Sequence, residues 1–177
     1  VDDLKLINSC AKIYNFLKNF YLKYSINKIY TLNLEGGHPD HDALAILIDN
    51  FSKEFSIKKY FFPAYNHGKT LLFIPLRVLK PLNSQISKIK KKKINVFKWF
   101  KSLNVAYKYK SEVKAFLKLF PFLLINSLFS REIYISNRIN IESIDWDKSL
   151  THKIYGVDIA DLKKIINKKN ELIYNSK

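Results

Sequence analysis

Methionine is absent from all 177 residues, position 1 included, and cysteine occurs once, as Cys10. A single thiol excludes an intramolecular disulfide and a thiolate metal cluster. With no initiator, and with Val1-Asp2-Asp3 leading almost directly into a periodic apolar pattern, the chain reads as a segment of something longer. Arginine is scarce as well: only Arg77, Arg131 and Arg138 stand among 31 basic residues. Nucleic-acid readers draw on arginine for bidentate contacts to bases and phosphates, so no specific nucleic-acid partner is expected. Long apolar runs are also missing. The longest uncharged stretch, residues 119–130, is interrupted by Pro121 and Asn126. It falls short of the roughly 18–20 residues that span a bilayer. No transmembrane segment and no secretory signal is read, which makes a reducing, cytoplasmic compartment the expectation.

What is present is lysine and apolar bulk. The net charge is +16, and 47% of the residues are hydrophobic, with 13 Phe and 11 Tyr. That is enough apolar surface for one domain with a real core, and the length is too short for two. The lysines accompany much Ile, Asn, Phe and Tyr, a bias that an AT-rich genome alone would produce. Attraction to anionic surfaces follows from such a charge without implying a specific partner.

Hydrophobic spacing gives the order of elements. Leu6, Cys10, Ile13, Tyr14, Leu17, Phe20, Tyr21 and Tyr24 recur at three- and four-residue steps, which predicts a helix over residues 2–24 with these side chains as its buried stripe. Alternation over 28–34 predicts a strand, helical spacing returns over 43–55, and a second strand is expected at 58–65. Helix, strand, turn, helix and strand in that order belong to a parallel α/β sheet. We read residues 1–177 as a single domain: a motif-bearing α/β core over 1–65, a loop-rich basic segment over 66–96, and helices with a late strand over 97–177. Within these, 66–69 reads as a loop, 71–79 as extended or a short helix, 88–93 as a solvated loop or helix edge, 97–119 as helix, 132–137 as strand and 158–174 as a lysine-rich helix.

Two of the four histidines lie three residues apart in His38-Pro39-Asp40-His41, between the first strand and the following helix. Open α/β sheets bind their ligands at this place, beyond the carboxyl ends of the strands. Gly36 and Gly37 allow a sharp turn and a close approach to a ligand, and Pro39 fixes one φ angle between the imidazoles. Neutral imidazole is a good zinc ligand, and a neighbouring carboxylate can orient a histidine ring. The same residues also suit a plain His-Pro turn capping a helix, with Asp40 or Asp42 bonding backbone amides.

The whole string Glu35-Gly36-Gly37-His38-Pro39-Asp40-His41-Asp42 resembles the second motif of the PIG-L/LmbE-like de-N-acetylase family, and Ala43 follows as it does there. The residues from His38 to His41 would arise by chance on the order of once per million positions. The resemblance implies a Rossmann-like three-layer parallel sheet, here an N-terminally truncated portion of it. It implies a metal-dependent amidohydrolase that removes the acetyl group of an N-acetylglucosamine-type sugar, glycan or glycolipid. His41 would be a ligand to zinc or another divalent metal. His38 would stabilise the tetrahedral intermediate or protonate the leaving amine, with Asp40 supporting it. In that chemistry zinc lowers the pKa of bound water and polarises the acetyl carbonyl, while a carboxylate acts as general base. Thinner similarities follow in the expected order at Lys101, Tyr109 to Glu112, Arg131-Glu132, Asp145-Trp146, Thr151-His152 and Tyr155.

The family's first motif, Ala-His-Pro-Asp-Asp-Glu, supplies a His and an Asp to the metal and a further Asp as general base, and nothing in this sequence matches it. A catalytic zinc site needs about three protein ligands and an open position. His67 and His152 read as surface or packing residues rather than substitute ligands. The expectation is therefore half of a site. The other half would lie in an N-terminal segment of the same domain, and the isolated chain would be inactive. An alternative from a different class is a non-catalytic basic module binding nucleic acid or anionic membrane through Lys88 to Lys101, with Lys98-Trp99-Phe100-Lys101 as an aromatic–basic patch. A third is a sugar-binding relative that keeps the fold without the hydrolase chemistry.

Overall fold

In a computed structural model of the chain, the residues described are 6–66, 77–78, 81, 90–93, 95, 97, 101, 108, 117, 120–121, 132–140 and 144. A 3-10 turn at Ile7–Ser9 leads into helix α1, Cys10–Tyr24. Strand β1, Lys28–Leu32, is followed by helix α2, Pro39–Glu54, and strand β2, Lys58–Phe62. Beyond these lie short strands: β3 at Tyr65–Asn66, β4 at Arg77–Val78, β5 at Lys90–Lys93 and β6 at Glu132–Ile135.

Strands β1 and β2 pair in parallel, with Lys28 opposite Lys58 and Leu32 opposite Phe62. Parallel neighbours need a crossover connection, and α2 supplies it, so residues 28–62 form one βαβ unit. The α/β class is therefore present, built on a small parallel sheet. At the far edge of β2, Phe61 and Ser136 exchange both backbone hydrogen bonds, at 2.7 and 2.8 Å, in an antiparallel bridge. The late segment thus lies beside the parallel pair. Strands β3 with β4, and β5 with β6, pair antiparallel.

The core forms where α2 covers one face of this sheet. Ala43, Ala45, Ile46, Leu47, Ile48 and Phe51 of α2 are buried with Leu34, Ile57 and Phe61. Helix α1 packs on α2 through Cys10 and Tyr14, with the Tyr14 ring edge-on to Phe51 at 5.6 Å. Asp49 is buried on the sheet side of α2. Its carboxylate meets Lys59 of β2 at 2.6 Å and the largely exposed Lys53 at 2.5 Å. The Lys59 ammonium also donates to the Asp49 carbonyl at 3.2 Å, which fixes the helix to the strand. On the opposite face of the sheet Tyr30 stacks on Tyr60 at 5.0 Å. Tyr30 is exposed there, and among the described residues no helix covers it.

Several elements differ from their expected limits for identifiable reasons. Helix α2 begins at Pro39 rather than at residue 43, because proline at the first helical position costs no hydrogen bond and His38 caps the end. It closes with Ser56 in the left-handed region and the Ile57 N–H donating to the Ser52 carbonyl at 2.9 Å. Strand β2 stops at Phe62 because Pro63 has no N–H to continue the ladder. The lysine run, read as loop or helix edge, is strand at Lys90–Lys93, held by the backbone of Glu132–Ile135. That late strand lies where alternation placed it, and Arg77–Val78 is extended. Phe20 and Tyr24, assigned above to the buried stripe of the first helix, are exposed. The inward stripe of α1 is instead Cys10, Ile13, Tyr14, Leu17 and Tyr21. Of the helix expected over 97–119, residues 97, 101 and 117 are helical. The expected helix over 158–174 lies outside the described residues.

Candidate functional site

The connection from β1 to α2 is built from backbone amides and two buried carboxylates. Gly36 sits at φ 65°, a left-handed conformation that a β-carbon would strain. The carboxylate of Asp42, in the first turn of α2, folds back over the turn. Its Oδ1 accepts the N–H of Glu35 at 2.8 Å and of Gly36 at 3.1 Å. A charged acceptor makes such bonds stronger than neutral ones, and the positive end of the helix dipole favours an anion here. Glu35, itself buried, accepts the N–H of Ala64 on Oε2 at 2.8 Å. The turn after β1 is thereby tied to the chain leaving β2, and the carboxyl ends of both parallel strands are held as one unit.

His38 is the N-cap of α2, with extended backbone at φ −141° and ψ 132°. Its Nδ1 accepts the N–H of Asp40 at 3.3 Å, and its carbonyl accepts the N–H of Asp42 at 3.0 Å. An Nδ1 that accepts leaves the proton of a neutral ring on Nε2. His41, half-buried, stands in the first turn beside it, with ring centroids 4.8 Å apart at 36°. The Asp40 carboxylate accepts the N–H of Leu6 at 3.2 Å, which anchors the approach to α1 against the turn. The Cys10 thiol donates to the Leu6 carbonyl at 3.3 Å. Burial, and secondly the negative charge of Asp40, push this thiol up to about 11. It is therefore a neutral group at pH 7, poorly suited to act as a nucleophile or metal ligand.

Glu35, Gly36, Gly37, His38, Asp40 and His41, singled out from the sequence, thus come together in one strand-to-helix connection. It lies where parallel sheets place their ligands. His38 caps the helix, as the capping reading expects, and its ring lies beside that of His41, a proximity the cap does not require. The capping reading offered Asp40 or Asp42 as the carboxylate that bonds backbone amides, and it is Asp42 that does so and organises the turn. The available signal was a carboxylate four residues past the cap of a glycine-containing turn. The contacts of Ala64 and Leu6 with the turn are long-range and leave no local signature.

Among the described residues the donor set falls short of what a catalytic zinc requires. About three protein ligands and an open position are needed. Among the described residues no group of three or more His, Cys, Asp and Glu side chains is placed to hold a metal. Asp42 and Glu35 are engaged by backbone amides, and Cys10 is a buried neutral thiol. The described residues therefore do not make a zinc site by themselves. His67, His152 and the weaker late similarities at 109–112, 145–146, 151 and 155 lie outside the described residues, as does Arg131. Lys101 is exposed. In comparisons with known proteins, no family model matches the chain, and no curated protein or solved structure shows a significant match.

Proposed function

We propose that the chain is part of a zinc-dependent de-N-acetylase, a metal-dependent amidohydrolase acting on an N-acetylglucosamine-type sugar, glycan or glycolipid, and that it carries the second half of the metal site. One observation carries this reading. The string from Glu35 to Asp42 folds into a braced turn at the carboxyl end of a parallel strand, with the His38 and His41 rings side by side. A cap alone uses one histidine and does not call for the second ring.

Each residue then has a distinct task. His41 would contribute one imidazole to the metal, with the other ligands supplied from outside the described residues. His38 is held by the Asp40 amide with its proton on Nε2, where it can donate to a developing oxyanion or to the leaving amine. Asp40 orients that ring through its backbone and fixes the turn to α1 through its carboxylate. Asp42 and Glu35 are positioning residues that keep the two imidazoles in register. The reading extends to a Rossmann-like three-layer fold, in which a further layer would cover the face bearing the Tyr30–Tyr60 stack.

The test is a pair of substitutions in the longest polypeptide that contains this chain, assayed for release of acetate from N-acetylglucosaminyl substrates. His41→Ala is expected to remove bound zinc and activity together, whereas His38→Ala keeps the zinc and lowers turnover by about 100-fold or more. Equal loss of zinc in both variants, or full activity in the His41 variant, would refute these roles.

A further inference from the structure

Helix α1 carries more apolar surface than the described residues of the fold cover. Cys10, Ile13, Tyr14, Leu17 and Tyr21 turn inward onto α2. Flanking that stripe, Phe16, Phe20 and Tyr24 form a ladder at four-residue steps, 63%, 42% and 55% exposed. The rings touch one another: Phe16 and Phe20 stack at 5.9 Å and 21°, and Phe20 and Tyr24 meet at 4.5 Å. Single exposed apolar side chains are ordinary, but a contiguous strip of three aromatics marks an interaction surface.

The charges around the ladder select the partner. Helix α1 has no acidic residue among its fifteen and carries Lys12, Lys18 and Lys23. The Lys23 ammonium lies 5.1 Å from the centre of the Tyr24 ring. Lys28 begins the next strand, exposed, and the chain as a whole carries +16. A protein groove would have to supply many acids to meet such a helix, whereas an anionic bilayer offers negative charge and an apolar layer a few ångströms apart. Aromatic rings inserted at the acyl boundary, with lysines reaching up to phosphates, are the pattern of a helix lying in the membrane plane. No described helix is long and apolar enough to cross a membrane.

We propose that the outer face of α1 docks on an anionic lipid surface, with Phe16, Phe20 and Tyr24 entering the interface and Lys12 and Lys23 meeting headgroup phosphates. None of these residues belongs to β5 or to the turn at Glu35 to Asp42, and docking of this face does not depend on a deacetylase activity.

The experiment is flotation of the full 177-residue chain with vesicles of phosphatidylcholine alone and of phosphatidylcholine containing phosphatidylserine. The chain is expected to float with the anionic vesicles and to be released as salt rises. A Phe16→Ser/Phe20→Ser variant should lose at least about tenfold in partitioning, because apolar insertion is removed while every charge is kept. Its circular dichroism should stay that of the parent, since both rings are exposed. A Lys12→Glu/Lys23→Glu variant, which leaves the rings in place, should lose binding to the anionic vesicles and serves if the first variant does not fold. Three outcomes overturn the proposal. These are a parent chain that stays unbound; two variants that bind as the parent does while replacement of Lys90, Lys92 and Lys93 abolishes binding; and serine substitutions that only disperse a dimer seen by ultracentrifugation without vesicles.

Discussion

Replacing Asp42 by alanine removes the acceptor for two buried amides, those of Glu35 and Gly36, at 2.8 and 3.1 Å. Each buried N–H left without a partner costs about 1–3 kcal/mol, so the pair should cost about 2–6 kcal/mol. Loss of a negative charge at the first turn of α2 adds about 0.3–1 kcal/mol. Against a total stability of about 5–15 kcal/mol for a domain of ordinary size, that is a large fraction. Asp42→Asn keeps an oxygen in place and forfeits only the charge, at about 1–2 kcal/mol. Urea unfolding followed by circular dichroism should show the midpoint falling by about 1 M or more for alanine, with the slope unchanged, and by less for asparagine. Amide exchange at Glu35 and Gly36 should accelerate in the alanine variant well before global unfolding. An alanine variant within about 0.5 kcal/mol of the parent, with both amides still protected, would refute the view that this carboxylate holds the turn.

Three further outcomes follow from the same geometry. Gly36→Ala should destabilise by about 1–2 kcal/mol in urea melts because its φ is 65°, while Gly37→Ala, where φ is not positive, should cost less. Lys59→Met should cost about 2–4 kcal/mol by stranding the buried Asp49, whereas Lys53→Met, on a side chain 59% exposed, should stay under about 1 kcal/mol. Stability should fall as the solution is made alkaline. The Cys10 thiol is raised from 9.0 to about 11, by burial first and by Asp40 second. The Tyr14 hydroxyl is raised by burial and by its hydrogen bond to Glu54. A pKa raised on folding contributes stability below the unfolded value and loses it above. The urea midpoint should therefore be flat up to about pH 9 and decline from there towards pH 11, less steeply in Cys10→Ala; an unchanged midpoint at pH 11 would contradict the assignment.

The βαβ unit was legible because its signals are local: three- and four-residue spacing in the helices, alternation in the strands, and glycines and proline at the turn. The candidate site was legible because its residues are contiguous from Glu35 to Asp42. What spacing could not supply was direction. In α1, Phe20 lies two three-residue steps from Tyr14 and Tyr24 one such step from Tyr21, and each step falls about 60° short of a full turn, which carries them to the exposed edge of the stripe that packs on α2. Nor could composition show that four lysines would lie in a strand, since lysine is depleted in strands and only pairing with Glu132–Ile135 places them there. Asp49 with Lys59, and Glu35 with Ala64, join elements through tertiary contacts that no window of sequence contains.

The half-site assignment is tested most directly by titrating zinc into the isolated chain while following the imidazole resonances of its four histidines by NMR. One committed ligand supports only weak binding, on the order of millimolar, a small share of what a complete set provides. His41 is expected to respond first in that range, and the response should persist in His38→Ala and vanish in His41→Ala. Tight stoichiometric binding abolished by His41→Ala would show a complete site within this chain, and no selective response at His41 would remove the metal from the turn altogether. Either result would contradict the assignment.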